Sequence, residues 1–593
     1  MRKFLTITLV IILSLCVGTT IFYHQPASAA DLNVHPGDSI QDAINAASAG
    51  DTIYVDSGTY VENIIWENKD ISIIGSGSDD CIIDGNGGLV VKTSGLSVLA
   101  SLEGFTIQNG TEGGMYNSGS SPSVTNCTFI NNSIAGSGGG MRNYLCSPTV
   151  TNCTFTSNSA HTTPSPRGGG MYNYKSFPIL TNCTFELNSA VHYGGGMFNM
   201  RSSPTLTDCT FTENSADQDG GGIANWYSCS PILTDCTFTE NSAGKYGGGL
   251  YSYDESSPRL TDCTFTENSA GKYGGAIWNT HLSAPTMTNC TFTGNSALWG
   301  GAMGNSYSSP TLTNCTFAIN SAEYAGSIYN GASSPTLTNC TFNGNSADYC
   351  GGIANSAGSL PVVTNCILYG DTLPEITTGG GANVTYSDVE GGYSGTGNIN
   401  VDPSFVDVTI RDFHLQLDSP CIDAGNNTAP YLPLYDFEGD ERIINGRVDM
   451  GVDEVITNKT PDVSQAYASP DCIWPANHKM LDITIMGVTD PDEDTVTIII
   501  TGITSDEPTA SDKGSGGAKH APDANGVGSN ATSVRAERSG TGDGRVYVIH
   551  FTAEDDRGGV AEGSVVVKVP RDRSDKTCPA VDSGQLYNAT EIN

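Results

Sequence analysis

Three sets of residues in this 593-residue chain are of types that do chemistry, and two of the sets recur at a fixed spacing. Asp208, Asp235 and Asp262 stand in the same local sentence, T-D-C-T-F-T-E-N, in three successive units, accompanied by Glu213, Glu240 and Glu267. Carboxylates stacked about 5 Å apart repel one another unless they are solvated, protonated or bridged by a cation. Calcium on these three aspartates is therefore the metal, and the only cofactor, that the residue types suggest. Lys245 and Lys272 give partial relief, and a bare carboxylate column lacks a defined ligand cage. The stretch L-T-D-C-T-F-T-E-N-S-A-G-K-Y-G-G is identical in two units, so duplication is the favoured explanation.

The second set is aromatic. Tyr172, Phe198, Tyr251, Trp278 and Tyr329 each follow an apolar Met, Leu or Ile, so a period of two turns them outward. Another column, Tyr193, Tyr246, Tyr273, Trp299, Tyr324 and Tyr349, stands just before the glycines. An outward stripe of this kind stacks either on sugar rings or a protein partner, or on itself beneath loops; both readings stay open. The third set is D-x-D-x-D at Asp490, Asp492 and Asp494. Thr495 and Thr501 stand where an EF-hand needs Gly and Glu, so the motif reads as an acidic turn at a sandwich edge, with calcium a weaker alternative.

The elements that must position these residues follow from the cysteines. Of 18 in the chain, ten recur every 25 to 30 residues, from Cys127 to Cys366, each in a sentence such as P-T-L-T-N-C-T-F. Apolar residues alternate at period two around a turn-former, and no 3.6-residue stripe occurs in the unit, which excludes helix. Short strands with one inward position of each kind per cycle describe a parallel β-helix, in which like residues stack at about 4.8 Å. Parallel cysteines at that spacing fall outside disulfide geometry and read as small core fillers. Two further columns, one from Asn126 to Asn365 and one from Asn132 to Asn345, are expected to hydrogen-bond from coil to coil.

The F-x-x-N sentence from Phe129–Asn132 to Phe342–Asn345, together with Gly274-Gly-Ala-Ile277 and its variants, resembles the repeat of the polymorphic outer-membrane proteins, within the wider pectin-lyase-like right-handed β-helix group. The resemblance covers roughly residues 105–366 and implies a fold rather than an activity. Lyases of that group need an Arg base beside an acidic calcium cluster; hydrolases need paired aspartates with a nearby His. Here the repeats offer only Arg142, Arg167, Arg201 and Arg259 at unequal positions, and Asp79-Asp80 is the one adjacent pair of aspartates in the rod. Catalysis breaks a repeat because unique residues must converge, and these coils are nearly uniform.

The fold class expected is all-β: a right-handed parallel β-helix followed by an immunoglobulin-like β-sandwich. The expected segments are a signal peptide over 1–29, a cap with the first coils over 30–104, repeat coils over 105–397, a C-terminal cap over 398–456, the sandwich over 462–570 and a tail over 571–593. Arg2-Lys3, the apolar stretch Phe4–Val17 and Ala27-Ser28-Ala29 carry the signal-peptide reading and imply an exported, secreted or cell-surface chain. With 26 basic and 63 acidic residues the net charge is -37, which excludes nucleic acid as a partner. No apolar run beyond residue 22 is long enough to span a membrane. A monomeric, non-catalytic rod whose repetitive face binds a cell-surface glycan or protein is the first functional expectation. A polysaccharide lyase or glycoside hydrolase is the second, and a structural envelope component the third.

Overall fold

The computed structural model describes residues 29–162, 164–356, 358–377, 381–456, 458–492, 494–509, 520–540, 542–572 and 578–592. The expected signal peptide lies outside them but for its last residue, as does half of the Gly/Ser-rich segment 511–530, read from sequence as a mobile loop. The chain divides into two compact units, Met1–Val455 and Ile456–Asn593.

The first unit is a rod of parallel coils. Three long sheets of 15, 14 and 12 strands run its length, with a fourth of nine two-residue strands beside them. One coil runs from strand Thr205–Thr207 through a turn at Asp208 to strand Thr210–Thr212, then through Glu213 and Asn214 to Ser215–Ala216, and back through three glycines to Ile223–Trp226. Inside, Leu stacks on Leu, Cys on Cys and Phe on Phe, all buried. Phe238 and Phe265, for example, lie 4.6 Å apart with their rings 4° from parallel. The stacked cysteines from Cys127 to Cys366 are free and buried, as their spacing requires. A glycine is demanded at Gly222, where a Cβ would come within 2.5 Å of the Gly249 carbonyl of the next coil.

The turns explain the polar columns. Asn126, Asn152, Asn182, Asn289 and their counterparts Asp208, Asp235 and Asp262 all have φ between 50° and 53°. That left-handed region penalises most L-residues and tolerates Asn and Asp. Their amides link neighbouring coils, as where Asn152 Nδ2 donates to Asn126 Oδ1 at 3.1 Å.

Two further amide ladders run inside the rod. From Asn132 to Asn345 each Nδ2 donates to the Oδ1 of the next coil's Asn at 2.9 to 3.1 Å. From Asn158 onward each also donates to a Phe carbonyl of the coil before, as Asn241 does to Phe211 at 2.8 Å. Asp371 ends this ladder by accepting both Asn345 N–H groups. The second ladder begins at Thr93, runs from Asn117 to Asn225 and resumes from Asn279 to Asn355. Between them, in register, stands Ser252. Ser252 Oγ, Asn225 Nδ2 and Asn279 Oδ1 are buried without a hydrogen-bond partner among the described residues.

A short helix, Ile40–Ala46, covers the start of the rod with Ile40 and Ile44 buried; Ser39 caps it by accepting from the Asp42 N–H. The segment 398–456 begins on the last coil, where Ile399 pairs with Asp388 and Asn398 Oδ1 accepts from the Ser387 N–H. Beyond that it packs along the flank as a flap. Asn314 Nδ2 donates to the Tyr435 carbonyl at 3.0 Å, and Asn339 Nδ2 to the carbonyls of Asp449 and Gly451, each at 3.0 Å. Asn365 Oδ1 accepts from the Asn426 N–H at 2.7 Å. The turn-column amides that elsewhere bond to one another here hold the flap.

The second unit has two four-stranded antiparallel sheets over one core. Its long strands are Met480–Met486, Thr497–Ser505, Gly544–Glu554 and Val560–Pro570. Cys472 and Cys578, whose pairing sequence left open, form a disulfide. The expected tail is part of the fold: Tyr587–Asn588 pairs with Ser505 and Thr504, and Ala589 is buried in the core.

The gap in the second ladder makes a direct prediction. Ser252→Asn supplies the missing amide, and the chain is expected to gain about 1–2 kcal/mol in denaturant unfolding as orphaned groups regain partners. A loss of stability would show that the coil spacing at that position rejects the amide.

Candidate functional site

The aromatic residues singled out in the sequence do point away from the Leu/Cys/Phe core, but they do not form an exposed stripe. Phe198, Tyr251 and Trp278 are buried, at 0%, 4% and 7% exposure, and Tyr172 and Tyr329 are half-buried beside them. The column before the glycines folds over them: Tyr193 lies 4.7 Å from Trp226, Tyr273 lies 4.7 Å from Trp278, and Trp299 stacks on Tyr324 at 3.5 Å. Arg167 sits 5.0 Å over the Phe198 ring. Period two gave the direction of these side chains, whereas their cover comes from loops of variable sequence. Of the two readings left open for these five residues, their burial favours self-stacking beneath loops, an outer apolar layer, over an open sugar-stacking face. Gly304 belongs to the same packing, since a Cβ there would lie 2.4 Å from the Trp278 indole.

Within that layer Asp219 takes a place otherwise held by tyrosines, bridged to Tyr193 and Tyr246. Burial, against the pull of Lys245, pushes its carboxyl up to about 7. It is enclosed, at 6% exposure, and its Oδ1 is buried without a hydrogen-bond partner among the described residues.

The Asp column stays at the turn between two sheets. Partial burial, then the charges of Asp262 and Asp208, hold the Asp235 carboxyl above its ordinary range. Asn289 donates to Asp262 at 3.0 Å. Among the described residues, metal-ligating atoms come within 4.8 Å of one another in two places, and Asp208, Asp235 and Asp262 form neither.

One of those places lines a cleft between rod and flap, a site that sequence reasoning missed. The cleft encloses 530 Å³. Its floor is the outward face of the Phe sheet, where Thr264, Thr266, Thr291, Thr293 and Thr316 present hydroxyls at coil spacing; its wall is Ile410–His414 with Phe437. His414 is the charged centre, with Nδ1 donating to Asp412 Oδ1 and Nε2 to Glu438 Oε2 at 3.0 Å. Burial opposes the imidazolium, but the hydrogen bonds to Asp412 and Glu438 and the charge of Asp453 outweigh it and push its pKa up to about 9. Asp453, buried at 5% exposure, accepts from the Leu415 N–H at 2.9 Å. His414 of the lining, together with Glu438 and Asp453 outside it, could hold a metal. The arrangement combines an apolar aromatic wall, a hydroxyl floor and an ion cluster in which acids outnumber bases. The sequence signal was D-F-H-L, which reads as a strand; the convergence of residues from coils more than 100 positions upstream was not visible in it.

Residues 39–244 and 181–305 match the family described as "Right handed beta helix region". No curated protein matches the chain. Among solved structures, pectin methylesterase from carrot is similar at 13% identity over 40% of this chain and 83% of that one, with a TM-score of 0.28. Pectin methylesterase PemA from Erwinia chrysanthemi is similar at 9% identity over 48% and 90%, with a TM-score of 0.21. ORF18 of Geobacillus virus E2 is similar at 11% over 59% and 57%, with a TM-score of 0.21. The rod is a right-handed parallel β-helix, and no activity transfers with the fold.

If the aromatic layer is structural, Trp278→Ala will cost about 3 kcal/mol of stability, as expected for removing a large buried ring. Chemical denaturation checks this; an unchanged midpoint would return Trp278 to the role of a surface contact.

Proposed function

We propose that the protein is a non-catalytic extracellular rod that binds a neutral glycan strand in the cleft between its threonine floor and the flap. The single observation that carries this reading is the composition of the cleft: regularly spaced hydroxyls opposite the half-buried ring of Phe437. Sugars offer the complementary pair of surfaces, an apolar C–H face for aromatic rings and hydroxyls for hydrogen bonding. The lining carries Arg411 and His414 against Asp412, with Glu438 bonded to His414, so the charges of the cleft nearly cancel, which suits a neutral strand. Export rests on the N-terminal sequence, and the uniformity of the coils weighs against catalysis.

A second reading, a polysaccharide lyase or glycoside hydrolase, draws on one specific feature: a charged His414 held between carboxylates at the edge of the same cleft. One experiment separates the two. The full chain is screened on neutral and acidic polysaccharides for both binding and release of shortened products. Binding to a neutral glycan is expected without product release, with affinity falling at least tenfold in Thr291→Arg, which fills the floor, and in Phe437→Ala. Shortened products lost in His414→Ala would establish the enzyme instead. Binding indifferent to Thr291→Arg would move the site elsewhere on the rod.

A further inference from the structure

The second place where carboxylates converge lies in the sandwich and owes nothing to the cleft or to the glycan reading. Asp490, Asp492 and Asp494 bring one oxygen each within 4.8 Å of one another. Side-chain crowding of like charges demands compensation, and the local hydrogen bonds supply only part of it. Asp490 Oδ1 accepts from the N–H groups of Asp492 and Asp494, at 2.8 and 3.2 Å, which curls the loop. Lys459 holds Asp492 at both oxygens, its backbone N–H donating to Oδ2 at 2.6 Å and its ammonium to Oδ1 at 2.9 Å, and the Arg557 guanidinium stands 3.4 Å from Asp494 Oδ1.

What those contacts leave over points to a ligand. Asp490 Oδ2 and Asp494 Oδ2 are both buried with no hydrogen-bond partner. The Asp494 side chain is only 9% exposed, so water does not solvate the orphaned oxygen freely. A buried carboxylate oxygen without a donor is costly, and native structures pair such groups or give them to a metal. The adjacent loop adds negative charge. Thr497 pairs with Glu554, which sets Asp555 and Asp556 beside the D-x-D-x-D turn.

We propose that Asp490, Asp492 and Asp494 bind one calcium ion through the orphaned oxygens of Asp490 and Asp494 and a carboxylate oxygen of Asp492. The donor set is all oxygen and anionic, the chemistry of a hard cation such as calcium. A three-carboxylate site on an extracellular module belongs to the weak class, with Kd of about 10⁻⁴ to 10⁻³ M. The ion would tie the 490–494 turn to the strands on either side of it.

The test is calcium titration of the full chain by calorimetry, paired with thermal unfolding in calcium and in chelator. One binding event per chain is expected, with a calcium-dependent rise in the melting temperature of the sandwich. Asp490→Asn and Asp494→Asn should each weaken binding at least tenfold while melting in chelator no lower than the native chain, since each removes a repulsive charge. Replacing Asp208, Asp235 and Asp262 together by Asn should leave the binding unchanged. Absence of heat and of a thermal shift at millimolar calcium would overturn the proposal. So would binding that survives Asp494→Asn, or an Asp494→Asn variant that melts lower in chelator, which would mark the carboxylate as a structural turn former.

Discussion

A parallel coil that must turn back on itself every few residues exposes its own backbone to the interior, and the buried Asn132–Asn345 ladder is what makes that tolerable. Each amide answers a main-chain N–H from the coil before, and from Asn158 onward a main-chain Phe carbonyl as well, while bonding to its own kind above and below, so no coil is complete without the next. A buried polar group left unpaired costs about 1–3 kcal/mol, so the repeat cannot drift from Asn without a replacement of equal geometry. Asp371 is such a replacement at the end of the row, where it accepts both N–H groups of Asn345. Burial there pushes the carboxyl of Asp371, and that of neighbouring Glu375, well up from the ordinary range.

The same logic explains what the rod offers to the outside. With one face turned over to aromatic packing under loops and another docked by the flap, few surfaces keep a repeated chemistry open to solvent. The threonine floor beside the flap is one of them, and it is bounded by side chains that occur once. Function therefore gathers where the repeat meets a unique segment, since identical coils alone cannot place different groups around one ligand.

The rod was legible because its spacing was regular. Inward Leu, Cys and Phe, free cysteines and coil-to-coil Asn columns all follow from period two, positive-φ turns and a fixed stacking distance. What escaped depended on contacts between segments far apart in sequence. Whether Phe198 or Trp278 met water turned on the loop residues Tyr193 and Tyr273 folding over them, which no local pattern encodes. The flank docking of 398–456 depended on Asn314, Asn339 and Asn365 finding backbone groups up to 121 residues away. The D-x-D-x-D turn was visible as a motif, yet its meaning rests on two oxygens left without donors, a matter of geometry.

The most direct test of this account is the stability of Asn241→Ala, measured by denaturant unfolding of the first unit's transition. The substitution strands the N–H groups of Asn214 and deprives Phe211 and Asn268 of a donor. A loss of about 4 kcal/mol or more is predicted from several buried groups left unpaired at once. A change within about 0.5 kcal/mol, the range of an ordinary surface substitution, would contradict the claim that the amide ladder holds the coils together.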